Sequence, residues 1–236
     1  MTHRFPSRRA LAVLAALAGL TLALLPTASA FAHDISQANR AALEAMSGPQ
    51  PIPYLYLGAK HMVTGIDHVL FLVGVVFFLH RLKDVVLYVS MFTIGHSLTL
   101  LGGVLAGVGV NAFIVDAIIG LSVAYKGFEN IGGFRQLGIA IDTRAAVLVF
   151  GLFHGLGLAT RMMDLAVSRD GLLVNLVSFN IGVEIGQVLV LIAVVALLNA
   201  WRRTASFAPS AFYANVALMA AGFILTGQQI AGYLAA

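Results

Sequence analysis

Polar residues are sparse along most of this chain, and six long apolar runs stand out at approximately 61–80, 84–107, 111–131, 144–167, 172–200 and 210–235. As an α-helix rising about 1.5 Å per residue, each run is long enough to cross ~30 Å of hydrocarbon. Lipid offers the backbone no hydrogen-bond partner, so a lipid-embedded run satisfies its own amides as a helix. The pattern predicts an all-α integral membrane protein with six transmembrane helices over 61–236. A short polar segment at 33–60, with Tyr54 and Tyr56 at an interface, precedes them.

The first residues break this pattern. MTHRFPSRRA is basic, Ala10 to Leu25 is apolar, Pro26 breaks the helix, and small residues stand at Ala28 and Ala30. These are the parts of a secretory signal peptide with an A-x-A site, predicted over 1–32 and cleaved. Cleavage leaves the mature N-terminus outside. The connections that then lie inside carry Arg81, Lys83, Arg135, Arg202 and Arg203, with Arg144 at the next helix start. The outer connection 107–111 has no charge, and Asp164 and Asp170 flank Arg169 in the other. Basic residues favour the inner side, so both termini are expected in the periplasm and the protein in the bacterial inner membrane.

Composition narrows the function classes. The chain has 236 residues, 60% hydrophobic and 10% charged, with a mean hydropathy of +0.94. Soluble domains carry roughly 25% charged residues, so a water-soluble unit is excluded. Arg4, Arg8 and Arg9 account for much of the +4 formal charge, and without them no nucleic-acid footprint remains. Cysteine is absent, which removes disulfides and thiolate metal sites. The lipid bilayer is the expected partner, and an oligomer is left open.

Two spans echo two others. GIDHVL (65–70) resembles GLFHGL (151–156), and FTIGHSL (92–98) resembles FNIGVEI (179–185). Repeat units of three spans are inverted relative to each other, and many secondary transporters with a site between the halves are built this way. The echo therefore predicts a 3+3 inverted repeat, with His68 superposed on His154.

The ionisable residues inside the runs carry the chemistry. His61, Asp67, His68, His96, His154 and Glu184 lie where lipid makes an unpaired charge cost several kcal/mol, so each needs a partner or a task. His61 and His68 are two helical turns apart, about 10 Å along one stripe, and Asp67 either shares their site or orients an imidazole. Asn180, Glu184 and Gln187 form one polar face, as do Thr93, His96 and Thr99. Asp116, Lys126 and Glu129 mark the third run, with Lys126 and Glu129 spaced for an ion pair. Imidazole and carboxylate without thiolate suit Ni²⁺, Co²⁺, Zn²⁺ or Cu²⁺ as cargo, with no tightly bound cofactor. Asn180 and Glu129 are secondary candidates. So is His33, which either signal-peptidase cut would leave at or near the mature N-terminus, where amine and imidazole chelate Ni²⁺ or Cu²⁺.

Rival readings use the same residues. His96 and His154 could ligate a haem between two spans, a reading that gives Asp67 and Glu184 no task. A hydrolase built on Ser97 or Asn180 lacks both the G-x-S-x-G elbow and the H-E-x-x-H pair.

At these residues a resemblance emerges. HMVTGIDH matches the His-x5-Asp-His signature of the HupE/UreJ family of hydrogenase and urease accessory membrane proteins. FTIGHSLTL, LSVAYKGFEN, FGLFHGLGLA and FNIGVEIGQ follow in the order of that family's second branch. The resemblance covers roughly 52–235 and implies a secondary nickel permease, with metal-path roles for His61, Asp67, His68, His96, His154 and Glu184. It also admits an accessory protein for metalloenzyme maturation that does not transport. The chain departs from better-known nickel importers after Gly155, where Leu-Gly-Leu-Ala replaces a stretch with a further His and Glu.

Overall fold

A computed structural model describes residues 47–163 and 170–236. The expected signal peptide, His33, Asp164 and Arg169 lie outside the described residues. The helices are α1 (Pro51–Thr64), α2 (Ile66–Val76), α3 (Leu82–Ala106), α4 (Ala112–Asn130), α5 (Gly133–Gln136), α6 (Thr143–Met163), α7 (Leu172–Arg202) and α8 (Phe207–Ala235).

The first apolar run is where the structure departs most from expectation. Sequence alone predicts one span over 61–80. Instead a helix starts at Pro51, ends at Thr64 and restarts at Ile66, with a bend of 63° between the two pieces. Pro51 suits a first helical position, since its missing N–H would be unbonded there in any case. Gly65 makes the break. It has ψ 99, and its N–H closes α1 on the His61 carbonyl at 2.8 Å. The later runs keep close to their expected bounds. Gly107, at φ 66, ends α3 in the left-handed region, and the Asn111 side chain caps α4 by accepting from the Ile114 amide at 3.2 Å.

Among the described residues, four helices (α3, α6, α7 and α8) are long and apolar enough to cross a membrane, and the bent α1–α2 pair raises the number to five. α4 falls outside that count because Asp116, Lys126 and Glu129 all lie within it. The chain is a multi-pass membrane protein, and its apolar outer surfaces meet lipid.

Three long seams hold the bundle together, each closed by glycines that let backbones approach. α1 runs parallel to α7, with Leu55 against Gly182 and Ala59 against Gly186. α3 runs parallel to α6, with Phe92 against Gly151 and His96 against Gly155. These two pairs are antiparallel to each other, since Thr93 faces Gln187 and Ser97 faces Asn180. α4 and α8 form the third, antiparallel seam, with Gly120 against Thr226 and Gly127 against Asn215. The molecule therefore has two faces. Pro51, Ala112 and Leu172 start helices at the first face. Leu82, Thr143 and Phe207 start helices at the second, where Val76, Asn130 and Arg202 end theirs.

Arg202 fixes the second face of the broken span. Its guanidinium donates to the carbonyls of Val76 at 2.8 Å and Phe77 at 2.6 Å. Asn130 donates to the Gly74 carbonyl at 2.8 Å and to Asn215 at 2.8 Å. The end of α2 thus has partners for carbonyls that water cannot reach.

Candidate metal centre

The break in the first span places its polar residues. Asp67 and His68 occupy the first turn of α2, both fully buried, and His61 the last turn of α1. Oδ1 of Asp67 lies 3.2 Å from Nδ1 of His68. With the carboxylate ionised, it only accepts, which puts the proton on Nδ1 and leaves the lone pair of a neutral ring on Nε2. On α6, Nδ1 of His154 lies 2.7 Å from the Phe150 carbonyl, an obligate acceptor, and the same tautomer follows.

Four imidazoles meet in one layer. The His68 ring is 5.1 Å from that of His61, 4.9 Å from His154 and 6.0 Å from His96, centroid to centroid, with all three pairs edge to face. His68 and His154 have no solvent exposure, and His96 is 2% exposed. Imidazoles that share an ion through ~2.0–2.1 Å bonds have centroids roughly 5 Å apart, a separation that the His68–His61 and His68–His154 pairs approach and the His68–His96 pair exceeds. As the rings stand, no group of three or more His, Asp or Glu among the described residues forms a ready coordination sphere.

The remaining candidates are dispersed. Glu184 is exposed on α7, and its Oε1 accepts from Asn180 at 3.2 Å. Asn180 is buried and also donates to Ser97 at 2.9 Å, while Gln187 donates to Thr93 at 2.8 Å. The polar face of α7 is thus spent largely on binding α3. Glu129 pairs with Lys126 at 2.6 Å and takes a short hydrogen bond from Thr143, joining α4 to α6 at the second face.

The sequence reading named Asp116 but gave it no partner. Arg161 supplies one, donating to Oδ2 of Asp116 at 2.6 Å across the α4–α6 seam. Asp116 lies one turn inside the first face, and its side chain is 1% exposed. A buried carboxylate implies a counter-charge, and Arg161 is the one lysine or arginine inside the fourth apolar run after its start at Arg144. That signal could have found the pair.

No curated protein and no solved structure matches the chain. A family model described as HupE / UreJ protein does match, over residues 37–236. That stretch contains every described helix, the broken first span and the whole histidine layer, and so the chain belongs to the HupE/UreJ family.

Proposed function

We propose that this protein is a six-span secondary permease for a divalent transition metal, nickel foremost, with cobalt or copper as alternatives. The observation that carries the reading is the pair of buried imidazoles whose Nδ1 atoms are committed to Asp67 and to the Phe150 carbonyl. Histidines that ligate metal almost always donate their other ring N–H to a carboxylate or a carbonyl, which fixes the tautomer and raises basicity. In this reading His61, His68, His96 and His154 receive the ion once their rings turn inward, and Asp67 orients His68. Glu184 with Asn180, and Glu129 on the other seam, line the route to and from the layer. His33 at the processed N-terminus serves as an outer capture group.

The seams favour an inverted repeat. Gly58 meets the Phe179 carbonyl as Gly151 meets that of Phe92, and Gly182 meets the Leu55 carbonyl as Gly95 meets that of Leu148. These reciprocal contacts pair His61 with His154, two turns away from the His68–His154 register of the sequence echo. A broken helix at the centre of a repeat interface is the arrangement transporters use for ion sites. The loop charges favour both termini in the periplasm and the inner membrane as the location. A haem between His96 and His154 is disfavoured because the Phe92 ring occupies that space, 6.0 Å from one imidazole and 5.0 Å from the other.

Uptake of radioactive nickel into liposomes tests the proposal. The wild type is expected to load the vesicles, and the His68→Ala/His96→Ala double variant is not. Equal uptake by the two would overturn it.

A further inference from the structure

Each of three histidines in the layer has a phenylalanine one helical turn away, always toward the second face. Phe71 follows His68 on α2, Phe92 precedes His96 on α3, and Phe150 precedes His154 on α6. The three come from separate helices, yet the Phe71 ring lies against both of the others, and the set packs against the imidazoles above. Phe71 is 5.4 Å from Phe92 and 5.9 Å from Phe150. Phe71 and Phe92 lie 5.3 Å and 5.0 Å from His154. Neither is more than 1% exposed. The aromatic column continues toward the second face through Tyr125, 5.0 Å from Phe150, and Phe134, 4.9 Å from Tyr125.

The other side of the layer has the opposite character. Asp67, Asp116 and Arg161 lie toward the first face. Gln229 is level with Asp116, because its neighbours on α8 meet α4 on either side, Thr226 at Ala117 and Gly232 at Phe113. Gln229 is 1% exposed, and neither atom of its amide hydrogen-bonds to a described residue. A buried amide in that condition marks a place where water or an ion can be accommodated. The histidine layer therefore has polar side chains on one side and, on the other, an aromatic layer in which Phe71 bridges Phe92 and the half-buried Phe150.

We propose that Phe71, Phe92 and Phe150 form the gate of the permease toward the second face, shut in this conformation, while the cation reaches the histidines from the Asp116 side. The proposal rests on the permease reading and adds the barrier that the reading needs. A dry aromatic constriction stops a hydrated ion because neither the ion nor its water finds a polar partner there. Opening requires the rings to swing apart, and each belongs to a helix that also holds a histidine. Rotation of α2, α3 or α6 that turns an imidazole toward the ion therefore moves the phenylalanine one turn below it. Loading and gating are mechanically coupled through rigid helices.

The absence of native cysteine gives a test independent of metal. His61→Cys puts a single thiol in the histidine layer, and Leu82→Cys, at the exposed start of α3, marks the second face in oriented vesicles. A membrane-impermeant thiol reagent applied from the second face should label the His61→Cys protein slowly. It should label the His61→Cys/Phe71→Ala/Phe150→Ala protein about tenfold faster, and the Phe71→Leu counterpart as slowly as the parent. Equal rates in the parent and the alanine variant overturn the gate. Should the alanine variant not elute as a monodisperse species, Phe71→Trp decides instead. The larger ring should slow nickel flux at unchanged nickel binding, and undiminished flux overturns the proposal. If the wild type moves no nickel at all, the permease reading falls while the labelling experiment still decides the gate.

Discussion

Asp67 Oδ1 and His68 Nδ1 stand 3.2 Å apart between neighbouring residues at the start of a helix, both buried in the centre of the bundle. Adjacent side chains in a regular helix project about 100° apart and do not usually meet. Here the first turn of α2 follows directly on the break at Gly65, and the carboxylate reaches the ring beside it. With Asp67 ionised, the contact selects the tautomer of His68, and with it the nitrogen that can face an ion.

Asp67→Asn removes the charge and keeps the shape. Nickel affinity is expected to fall by about 10–100-fold, the range for losing the hydrogen-bond partner of a ligating histidine. Isothermal titration of the detergent-purified protein measures it. Unaltered affinity would show that Asp67 does not act through His68.

Gly65→Ala tests the break. A Cβ there would stand 3.0 Å from the His61 carbonyl oxygen, 3.0 Å from His68 Nδ1 and 3.3 Å from Asp67 Oδ1. Backbone and site would both have to shift, at a cost of about 1–3 kcal/mol. The variant should unfold at lower temperature and lose nickel transport more than thermal stability alone explains. Normal flux from a Gly65→Ala protein would argue that the broken geometry is incidental.

Arg161→Met leaves the Asp116 carboxylate buried without its guanidinium. Breaking a buried pair by removing one partner costs about 3–5 kcal/mol, whereas replacing both partners is often nearly neutral. Thermal unfolding in detergent should therefore show strong destabilisation of Arg161→Met and substantial recovery in Asp116→Asn/Arg161→Met. Additive losses would mean that the two residues are not energetically coupled.

Glu184→Gln separates route from site. Glu184 is exposed and bonded to Asn180, while the imidazoles are buried together elsewhere. Nickel binding is expected to stay within about twofold of wild type while flux declines, since losing a charge along a path acts on passage rather than on coordination. Loss of binding comparable to that of His68→Ala would place Glu184 in the coordination sphere.

Helix existence was legible in the sequence from the second run onward because lipid leaves the backbone few options. A long apolar run flanked by glycine, asparagine or charge reads as one helix, and Leu82–Ala106 through Phe207–Ala235 keep close to those limits. The ionisable residues were legible for the same reason, since His68, His96, His154 and Asp116 contrast with everything around them. The break in the first span was not legible because a glycine among polar residues, here Thr64, Gly65 and Asp67, is equally compatible with a continuous helix that turns those side chains inward. Residues 51–60 read as an interfacial segment, yet they pack as helix along α7 because Gly182 and Gly186 leave room for them.

Residue type and spacing along the chain determined which side chains could not face lipid, and so which elements had to turn inward. Packing alone decided which of those side chains meet. The face of α7 that holds Asn180 and Gln187 went to hydrogen bonds with α3, and Glu184 was left outside, although all three lie on one stripe in sequence. Arg161 found Asp116 from a helix whose sequence gives no distance to α4. Phe71, Phe92 and Phe150 are indistinguishable along the chain from phenylalanines that touch lipid. Their common level beneath the histidines comes from the parallel α3–α6 seam and the bend at Gly65, because helix crossings depend on small-residue contacts between distant segments that no local pattern encodes.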